Sequence, residues 1–280
     1  MAVREVASGV FVHFGVNALM TAENQGATAN IGFVVGDDAV AVIDTGGSLH
    51  EGRRLLAAVR NVTAKPIRYV INTHAHPDHV FGNAAFLGET IFIGHHNLPR
   101  ALALRGSYYL EGFRRSMGTA LDGVELIAPQ RVVETDMTLE LGNRALKLRA
   151  WAAAHSDSDL TVLDETTGTL FAGDLVFLAH VPVIDGSLRG WLAALGPLAG
   201  IPAKRVIPGH GPMAEWPAAL TGERRYLESM AHDIRGLIKN GTPIAQAAAT
   251  AGTSEKSQWE LFEEYNARNA TAAFAELEWE

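Results

Sequence analysis

The stretch THAHPDH, residues 73–79, follows the apolar run Ile67–Ile71 and dominates what the sequence predicts about fold and chemistry. Side chains two residues apart on an extended chain point to the same side. A strand that continues through His74 and His76 would therefore present both imidazoles to one small volume. We predict that these two side chains bind the same metal ion.

The second half of this stretch predicts ligands for an adjacent site. Pro77 is expected to prevent an early helix, so that Asp78 and His79 lie where the chain turns into the helix-like run 80–86. From that turn both side chains can face a second metal ion. The alternative is a polar loop with three unrelated histidines, but burying so many titratable groups without a metal would be costly.

The composition bounds the class of protein. With 280 residues, 48% of them apolar, the chain is long enough for one large α/β domain or for a domain with an appendage. The formal net charge of -8 provides no basic surface, so we expect no nucleic acid and no membrane among the partners. The absence of cysteine excludes disulfides, iron–sulfur clusters, thiolate-bound zinc and cysteine nucleophiles.

The cellular location stays open at this point. The sequence has no apolar run of membrane-spanning length, and Met1 leads into strand-like sequence without a signal peptide. We expect a periplasmic protein if a leader has been removed and a cytoplasmic one otherwise.

The order of elements predicts a β-β-α unit followed by a second strand-rich half. Residues 31–36 and 39–44 form a buried hairpin pattern, and Ser48 opens a capping box for a helix that runs to about Arg60. A strand pair or bent strand is expected at 6–14. Further strands are expected at 67–71, 90–94, 137–141, 144–150, 160–163, 169–172 and 205–207, and helices at 98–117 and 188–198.

The last part of the chain is predicted to be helical. We divide the chain into residues 1–215, which carry the motifs, and residues 216–280, a helical C-terminal extension packed on that body or on a partner. Its aromatic residues, among them Trp259 and Tyr265, favour packing over ligand contact. The same helices suggest a possible homodimer.

Two more histidines and an aspartate stand where strands are expected to end. His155 and His210 lie in tight polar loops, and Asp174 follows the strand at 169–172. An aspartate at a strand exit is often only a turn residue. Together with the first cluster, however, the chain supplies five histidines and two aspartates, enough for two metal ions that share one carboxylate.

This ordered set resembles that of the metallo-β-lactamase superfamily: Asp44, the motif at 74–79, His155, Asp174 and His210. The resemblance implies an α/β (α+β) fold, a four-layer αβ/βα sandwich with the metal ions at one edge. It further implies that one ion is held by His74, His76 and His155, and the other by Asp78, His79 and His210. Asp174 would bridge them, and Asp44 would orient the histidine loop without binding metal.

The resemblance also implies a function. The expected enzyme is a zinc-dependent hydrolase with two Zn²⁺ (Fe or Mn possible) that uses a metal-bridging hydroxide on an ester, thioester, lactone or lactam bond. Asp78 would also orient the nucleophile. On formal counting, two Zn²⁺, two aspartates and a hydroxide leave a charge of about +1, which favours a small anionic substrate. Members with a cysteine ligand are excluded.

Within the superfamily, residues 155–160 and 180–187 look like those of the zinc metallohydrolases associated with quinoprotein and sulfur-oxidation systems. Such relatives are commonly exported. The loop at His155 lacks the Gly-His-Thr pattern of many relatives, which implies a different local backbone. His180 is a candidate for the substrate pocket, although a structural role is equally compatible with the sequence. Four aromatic residues are weighed as pocket wall or core: Phe81, Tyr108, Tyr109 and Trp191.

Two other functions fit the same residues. A mononuclear iron site made by His74, His76 and His155 or Asp174 could activate oxygen on a sulfur substrate, as in the related persulfide dioxygenases, because iron accepts the same ligands. A noncatalytic metal-binding module is the second alternative. A structural zinc site needs only four ligands, so a set of seven argues against that module.

Overall fold

The computed structural model describes residues Met1–Glu280 and contains two β-sheets with helices outside them. The first sheet holds seven strands in chain order: β1 (Arg4–Ala7), β2 (Val10–His13), β3 (Ile31–Val35), β4 (Val40–Ile43), β5 (Ile67–Ile71), β6 (Ile91–His95) and β7 (Arg131–Val133). The second holds six, in the spatial order 13-12-11-10-9-8: β8 (Asp136–Glu140), β9 (Ala145–Ala150), β10 (Leu160–Asp164), β11 (Thr169–Phe177), β12 (Arg205–His210) and β13 (Ala214–Glu215). Seven α-helices accompany them: α1 (Leu49–Val62), α2 (Pro77–Val80), α3 (Leu98–Met117), α4 (Leu188–Ala199), α5 (Leu220–Lys239), α6 (Ile244–Thr250) and α7 (Phe262–Leu277).

The side chains that each sheet buries explain the layers. The inner faces of both sheets share one apolar cluster, which includes Ile43 and Ile71 from the first sheet and Val162 from the second. The outer face of the first sheet packs against Leu55 of α1. The outer face of the second packs against α4, α5 and α7. The predicted four-layer α/β sandwich is thereby confirmed.

Local sequence patterns correctly predicted the positions of several helices and strands. Helix α1 begins after Ser48, whose hydroxyl accepts a hydrogen bond from Glu51 N at 3.1 Å. The Glu51 carboxylate in turn accepts from Gly47 N at 2.9 Å, which satisfies a second free backbone donor near the helix start. The β3–β4 hairpin and helix α3 also occur where the apolar pattern predicts them.

The C-terminal helices pack on the body of the chain. Tyr226 and Met230 of α5 and Phe274 of α7 belong to the apolar cluster that covers the second sheet. The domain boundary after residue 215 and a dimer through these helices stay predictions. None of the helices is both long and apolar enough to span a membrane.

Glu223 of α5 is buried under the second sheet, and we predict that it makes stability depend on pH. Its Oε2 accepts from Phe177 N at 2.8 Å, whereas Oε1 has no hydrogen-bond partner. Burial raises the pKa of Glu223 well above its usual range, so the folded state keeps it protonated while the unfolded chain ionises it. The stability that protonated Glu223 contributes is complete below its pKa in the unfolded chain, and it is lost as pH rises through its pKa in the folded protein.

Glu223→Gln keeps the neutral form at every pH. Its free energy of unfolding relative to the unmodified protein should increase by at least about 1 kcal/mol between about pH 5 and about pH 8, measured by urea denaturation. Glu228→Gln on the exposed side of α5 is the control and should show no such trend. A difference that does not change with pH would show that Glu223 is ionised in the fold.

A buried ion pair lies at the edge of the second sheet, where its arginine also bonds to the first sheet, and we predict that breaking the pair is costly. Arg144 donates Nε and Nη2 to the Asp164 carboxylate at 2.9 and 2.7 Å, and further bonds reach the carbonyls of Val35 and Ser8. Asp164 is fully buried. Arg144→Met leaves that charge unpaired and should lower the free energy of unfolding by about 3–5 kcal/mol in denaturant titrations.

The matched control for this change is Arg68→Met on β5, where the side chain is exposed. It should alter the free energy of unfolding by no more than about 0.5 kcal/mol. Equal effects of the two substitutions would mean that the Arg144 pair contributes nothing beyond an ordinary surface charge.

Candidate metal centre

The histidine-rich segment is a loop and does not extend β5. Since β5 ends at Ile71, the prediction of a strand through His74 and His76 is wrong. Pro77 also departs from the prediction, because it opens the short helix α2 and does not prevent it. A proline fits at the first helical position, where its missing N–H leaves no hydrogen bond unmade. The loop still brings the two imidazoles together, with His74 Nε2 at 3.0 Å from His76 Nδ1.

Three imidazoles point their lone pairs at one another. His155 Nε2 lies 2.9 Å from His76 Nδ1, beside His74 Nε2. The outer nitrogen of each ring has its own acceptor: Asp185 Oδ2 for His76 (3.0 Å), Val183 O for His155 (2.7 Å) and Thr73 Oγ1 for His74 (3.1 Å). A neutral imidazole that donates from one nitrogen has a lone pair on the other. Three lone pairs at this separation repel unless a cation lies between them.

A second group adjoins the first and contains Asp78, His79 and His210. His210 Nε2 lies 3.4 Å from Asp78 Oδ2, and His79 Nε2 lies 4.0 Å from Asp78 Oδ1. The outer nitrogens are again held: His79 Nδ1 donates to Asp44 Oδ2 at 2.8 Å, and His210 Nδ1 donates to Thr28 O at 3.0 Å. Burial alone would lower the pKa of both rings, but Asp174 outweighs it and raises the pKa of His79 and of His210, so a metal ion bound at either Nε2 would displace a proton.

Asp174 lies between the two groups. Its Oδ2 is 3.4 Å from His155 Nε2 and 3.5 Å from His210 Nε2, and its Oδ1 is 3.2 Å from His79 Nε2. The structure places Asp174 inside β11, and not after a strand that ends near residue 172 as expected. The neighbouring strand β12 comes so close that a Cβ on Gly209 would lie 1.8 Å from Asp174 Oδ1. Only glycine fits there.

Asp44 orients one imidazole of each group, on the side of the ring that faces away from the ligand sites. It follows β4 with a positive φ of 54°, a conformation that aspartate tolerates better than most residues. Its carboxylate accepts from Thr73 N at 2.8 Å, Thr73 Oγ1 at 2.7 Å and His79 Nδ1 at 2.8 Å. Because Thr73 Oγ1 in turn accepts from His74, Asp44 fixes one imidazole in each group. Thr73 was not singled out in the sequence.

Two buried atoms test whether metal ions fit here. Among the buried side-chain atoms without a hydrogen-bond partner are His79 Nε2 and Asp174 Oδ1, which face each other across the second group. Leaving such atoms unpaired costs free energy. Imidazole nitrogens and carboxylate oxygens are common ligands of zinc and iron. The donor set therefore fits a pair of divalent cations.

The charge balance of the cluster favours positive charge at its centre. Burial lowers the pKa of His155 to about 3, which keeps this ring neutral, the form that binds metal. Burial alone would raise the pKa of Asp174, but His210 and His79 outweigh it and hold that pKa well below its usual range. Asp78 follows the same pattern, with its pKa lowered by His79 and His210 against the effect of burial. Both carboxylates are therefore ionised near neutral pH.

A cavity of about 140 Å³ opens onto the cluster. Its walls combine Asp78 and Asp174 with apolar side chains from the loop near Met20 and from α3. His180 lines this cavity and donates Nδ1 to Val181 O at 2.6 Å, and its role in binding substrate stays a prediction. Burial, with His210 nearby, lowers the pKa of His180 to about 4. The ring is therefore neutral and keeps Nε2 as an acceptor.

The aromatic candidates divide between cavity and core. Tyr109 lines the cavity, whereas Phe81 and Trp191 are fully buried in the core and Tyr108 is exposed. Tyr265 of α7 also lines the cavity, so packing was an incomplete interpretation of the C-terminal aromatic residues.

Sequence reasoning missed two further residues that act on the cluster. Asp185, quoted only as part of a motif, anchors His76. Thr28 donates Oγ1 to Asp78 Oδ2 at 2.9 Å and accepts from His210 through its carbonyl. Neither has a neighbour in sequence among the histidines, so only the tertiary structure reveals them.

Comparison with known proteins gives a consistent result. Residues 25–210 match the family model of the metallo-beta-lactamase superfamily. The chain superposes on a metallo-beta-lactamase from Pontibacter korlensis with a TM-score of 0.65 and 20% identity, covering 81% of this chain and 98% of that one. At such identity the likeness shows the fold.

Alkylsulfatases are also similar to this chain. The stereoselective inverting sec-alkylsulfatase from Pseudomonas sp. superposes with a TM-score of 0.76 and 15% identity, covering 98% of this chain and 50% of that chain. The curated linear primary-alkylsulfatase of Pseudomonas sp. (strain ATCC 19151) is 40% identical over 52 residues, which are 19% of this chain and 10% of that protein. The chain thus spans only part of the length of either alkylsulfatase.

Proposed function

Because the chain belongs to the metallo-beta-lactamase superfamily, we propose that it is a hydrolase that requires two zinc ions held by the seven clustered side chains. The observation that carries this proposal is the set of five imidazoles whose outer nitrogens are all anchored and whose inner nitrogens face two adjacent points. An arrangement of this kind orients ligands before the metal arrives.

The residues divide into two ligand sets that share Asp174. His74, His76 and His155 would hold one ion, and Asp78, His79 and His210 the other. Zinc bound in this way supplies a water of lowered pKa and polarises the bond to be broken.

The side chains around the cavity then supply orientation and hydrogen bonds. Asp78 is ionised, and Thr28 donates to its Oδ2, so Oδ1 is left to accept a hydrogen bond from the attacking water. Tyr265 stays a phenol near neutral pH, since burial, with Asp78 nearby, raises its pKa to about 12. It can therefore donate a hydrogen bond to the substrate, and neutral His180 can accept one.

We propose a carboxylic ester, thioester, lactone or lactam as the substrate class. The cavity beside the metal residues has a volume of about 140 Å³, which suits a small molecule. Sulfate esters are the second candidate, supported by the local 40% identity with a linear primary-alkylsulfatase. A small anionic substrate is compatible with the excess positive charge of two zinc ions over two aspartates.

The test is a substrate panel with the zinc-loaded protein and with Asp78→Asn as its matched inactive variant. We expect one class among lactams, lactones, thioesters, carboxylic esters, sulfate esters and phosphodiesters to be hydrolysed. Chelation should abolish the activity and zinc should restore it. If no class is hydrolysed faster by the unmodified protein than by Asp78→Asn, the proposed function is wrong.

A further inference from the structure

A second, larger cavity adjoins the metal pocket. It has a volume of about 570 Å³ and is bounded by helices α3 and α7. Tyr109, Phe113 and Arg268 line both cavities, so a molecule held at the metal residues can extend into the outer one. The metal chemistry described above does not use this outer space.

Two arginines meet in the outer cavity at a single carboxylate. Arg105 of α3 donates Nη1 to Asp185 Oδ2 at 2.6 Å, and Arg268 of α7 donates Nη2 to Asp185 Oδ1 at 2.5 Å. Asp185 Oδ2 also accepts from His76 at 3.0 Å. The two arginines are thus connected to the metal site through Asp185. Both guanidinium groups bind its carboxylate, which binds the outer nitrogen of His76, and the inner nitrogen of His76 faces the metal site.

The lining of the outer cavity carries an excess of positive charge. Asp185 is the only acidic residue in its lining, and it faces two guanidinium groups. A guanidinium has five N–H donors, and Asp185 receives one from each arginine. The side chains of Arg105 and Arg268 are 41% and 53% exposed, so free donors remain available to a ligand.

We propose that Arg105 and Arg268 bind a carboxylate of the substrate while its scissile bond lies in the metal pocket. The two guanidinium groups already close on a carboxylate, that of Asp185, and charge-assisted hydrogen bonds of this kind are stronger than neutral ones. The substrate class is then a small ester or related compound with a second, acidic end. This inference rests on the proposed function.

The kinetic test compares mono-4-nitrophenyl adipate with its neutral methyl ester on the zinc-loaded protein. We expect kcat/KM to favour the acid by at least about tenfold. Arg105→Gln and Arg268→Gln should reduce that preference to less than about twofold, through an increase in KM for the acid. Arg100→Gln, an exposed arginine on the same helix α3, is the control and should keep the full preference.

A binding measurement keeps the inference testable without turnover. In calorimetric titrations of the zinc-loaded proteins, adipic acid monoamide should bind at least about tenfold more tightly than adipamide, which lacks the carboxylate. This difference should disappear in Arg105→Gln and Arg268→Gln and persist in Arg100→Gln. Equal affinities of the two ligands for the unmodified protein, or an undiminished difference in the two variants, would overturn the inference.

The two measurements separate this inference from the proposed function. Preferential binding of the monoamide over adipamide without hydrolysis of any ester would contradict the hydrolase and support the carboxylate site. Hydrolysis of both esters at equal kcat/KM would support the hydrolase and contradict the carboxylate site.

Discussion

Asp174→Ala should remove more than half of the bound zinc and lower the rate of hydrolysis by more than about a hundredfold, because loss of an anchoring residue alone typically costs 10–100-fold. The carboxylate of Asp174 lies 3.2–3.5 Å from inner nitrogens of both groups of imidazoles, and it supplies half of the negative charge among the seven residues. Without it, five imidazoles and Asp78 would face two divalent cations. His155→Ala should have a comparable effect on binding of the ion that His74, His76 and His155 would hold.

Metal content by mass spectrometry and the initial rate on the best substrate of the panel measure this effect. Asp157→Ala is the control, because this residue lies in the same loop as His155 and its side chain makes no hydrogen bond. The control should retain both zinc and activity. An Asp174→Ala protein with full metal content and full activity would show that the bridging assignment is wrong.

Asp44→Asn should weaken zinc binding by about 10–100-fold without unfolding the protein. Asparagine has the same shape and also tolerates a positive φ, so the backbone at residue 44 is preserved. What is lost is an acceptor, because one carboxylate oxygen that receives hydrogen bonds from Thr73 and His79 becomes an amide donor. An imidazole in each group then loses its fixed orientation.

Competition with a chromophoric chelator measures this loss of affinity, and thermal denaturation verifies the fold. The control, Asp122→Asn, changes an exposed aspartate and should leave zinc affinity unchanged. Unaltered zinc affinity in Asp44→Asn would mean that the histidines are positioned by the loop alone.

The sequence was sufficient for the fold and for the composition of the cluster because both depend on local patterns. Apolar runs of strand length predicted β3, β4 and β5, and an amphipathic spacing predicted α3 with the correct bounds. The residues of the cluster could be collected from the chain because four potential ligands occur within residues 74–79, and because two further histidines and an aspartate recur at expected strand ends. The resemblance to a known superfamily then assigned them in order.

The local geometry could not be predicted in the same way. A strand through His74 and His76 satisfies the alternation rule, but β5 ends at Ile71 because Asp44 binds the backbone N–H and hydroxyl of Thr73 and redirects the chain. That contact joins residues far apart in sequence. The same reason hides Thr28 and Asp185, whose roles depend on partners from other loops.

The C-terminal helices were underestimated for a related reason. Their apolar spacing correctly indicated packing, yet α7 also carries Tyr265 and Arg268 to the rim of the metal pocket. Periodicity describes the face that packs on the body and contains no information on which cavity the end of a helix reaches.

If seven side chains enclose two metal ions that are needed for hydrolysis, metal quantification of the active protein will show both ions most directly. We predict about two zinc ions per chain, with activity lost and regained in proportion to zinc as it is removed and restored. A single iron per chain with oxygen uptake on a sulfur substrate, or hydrolysis that persists after complete removal of metal, would contradict it.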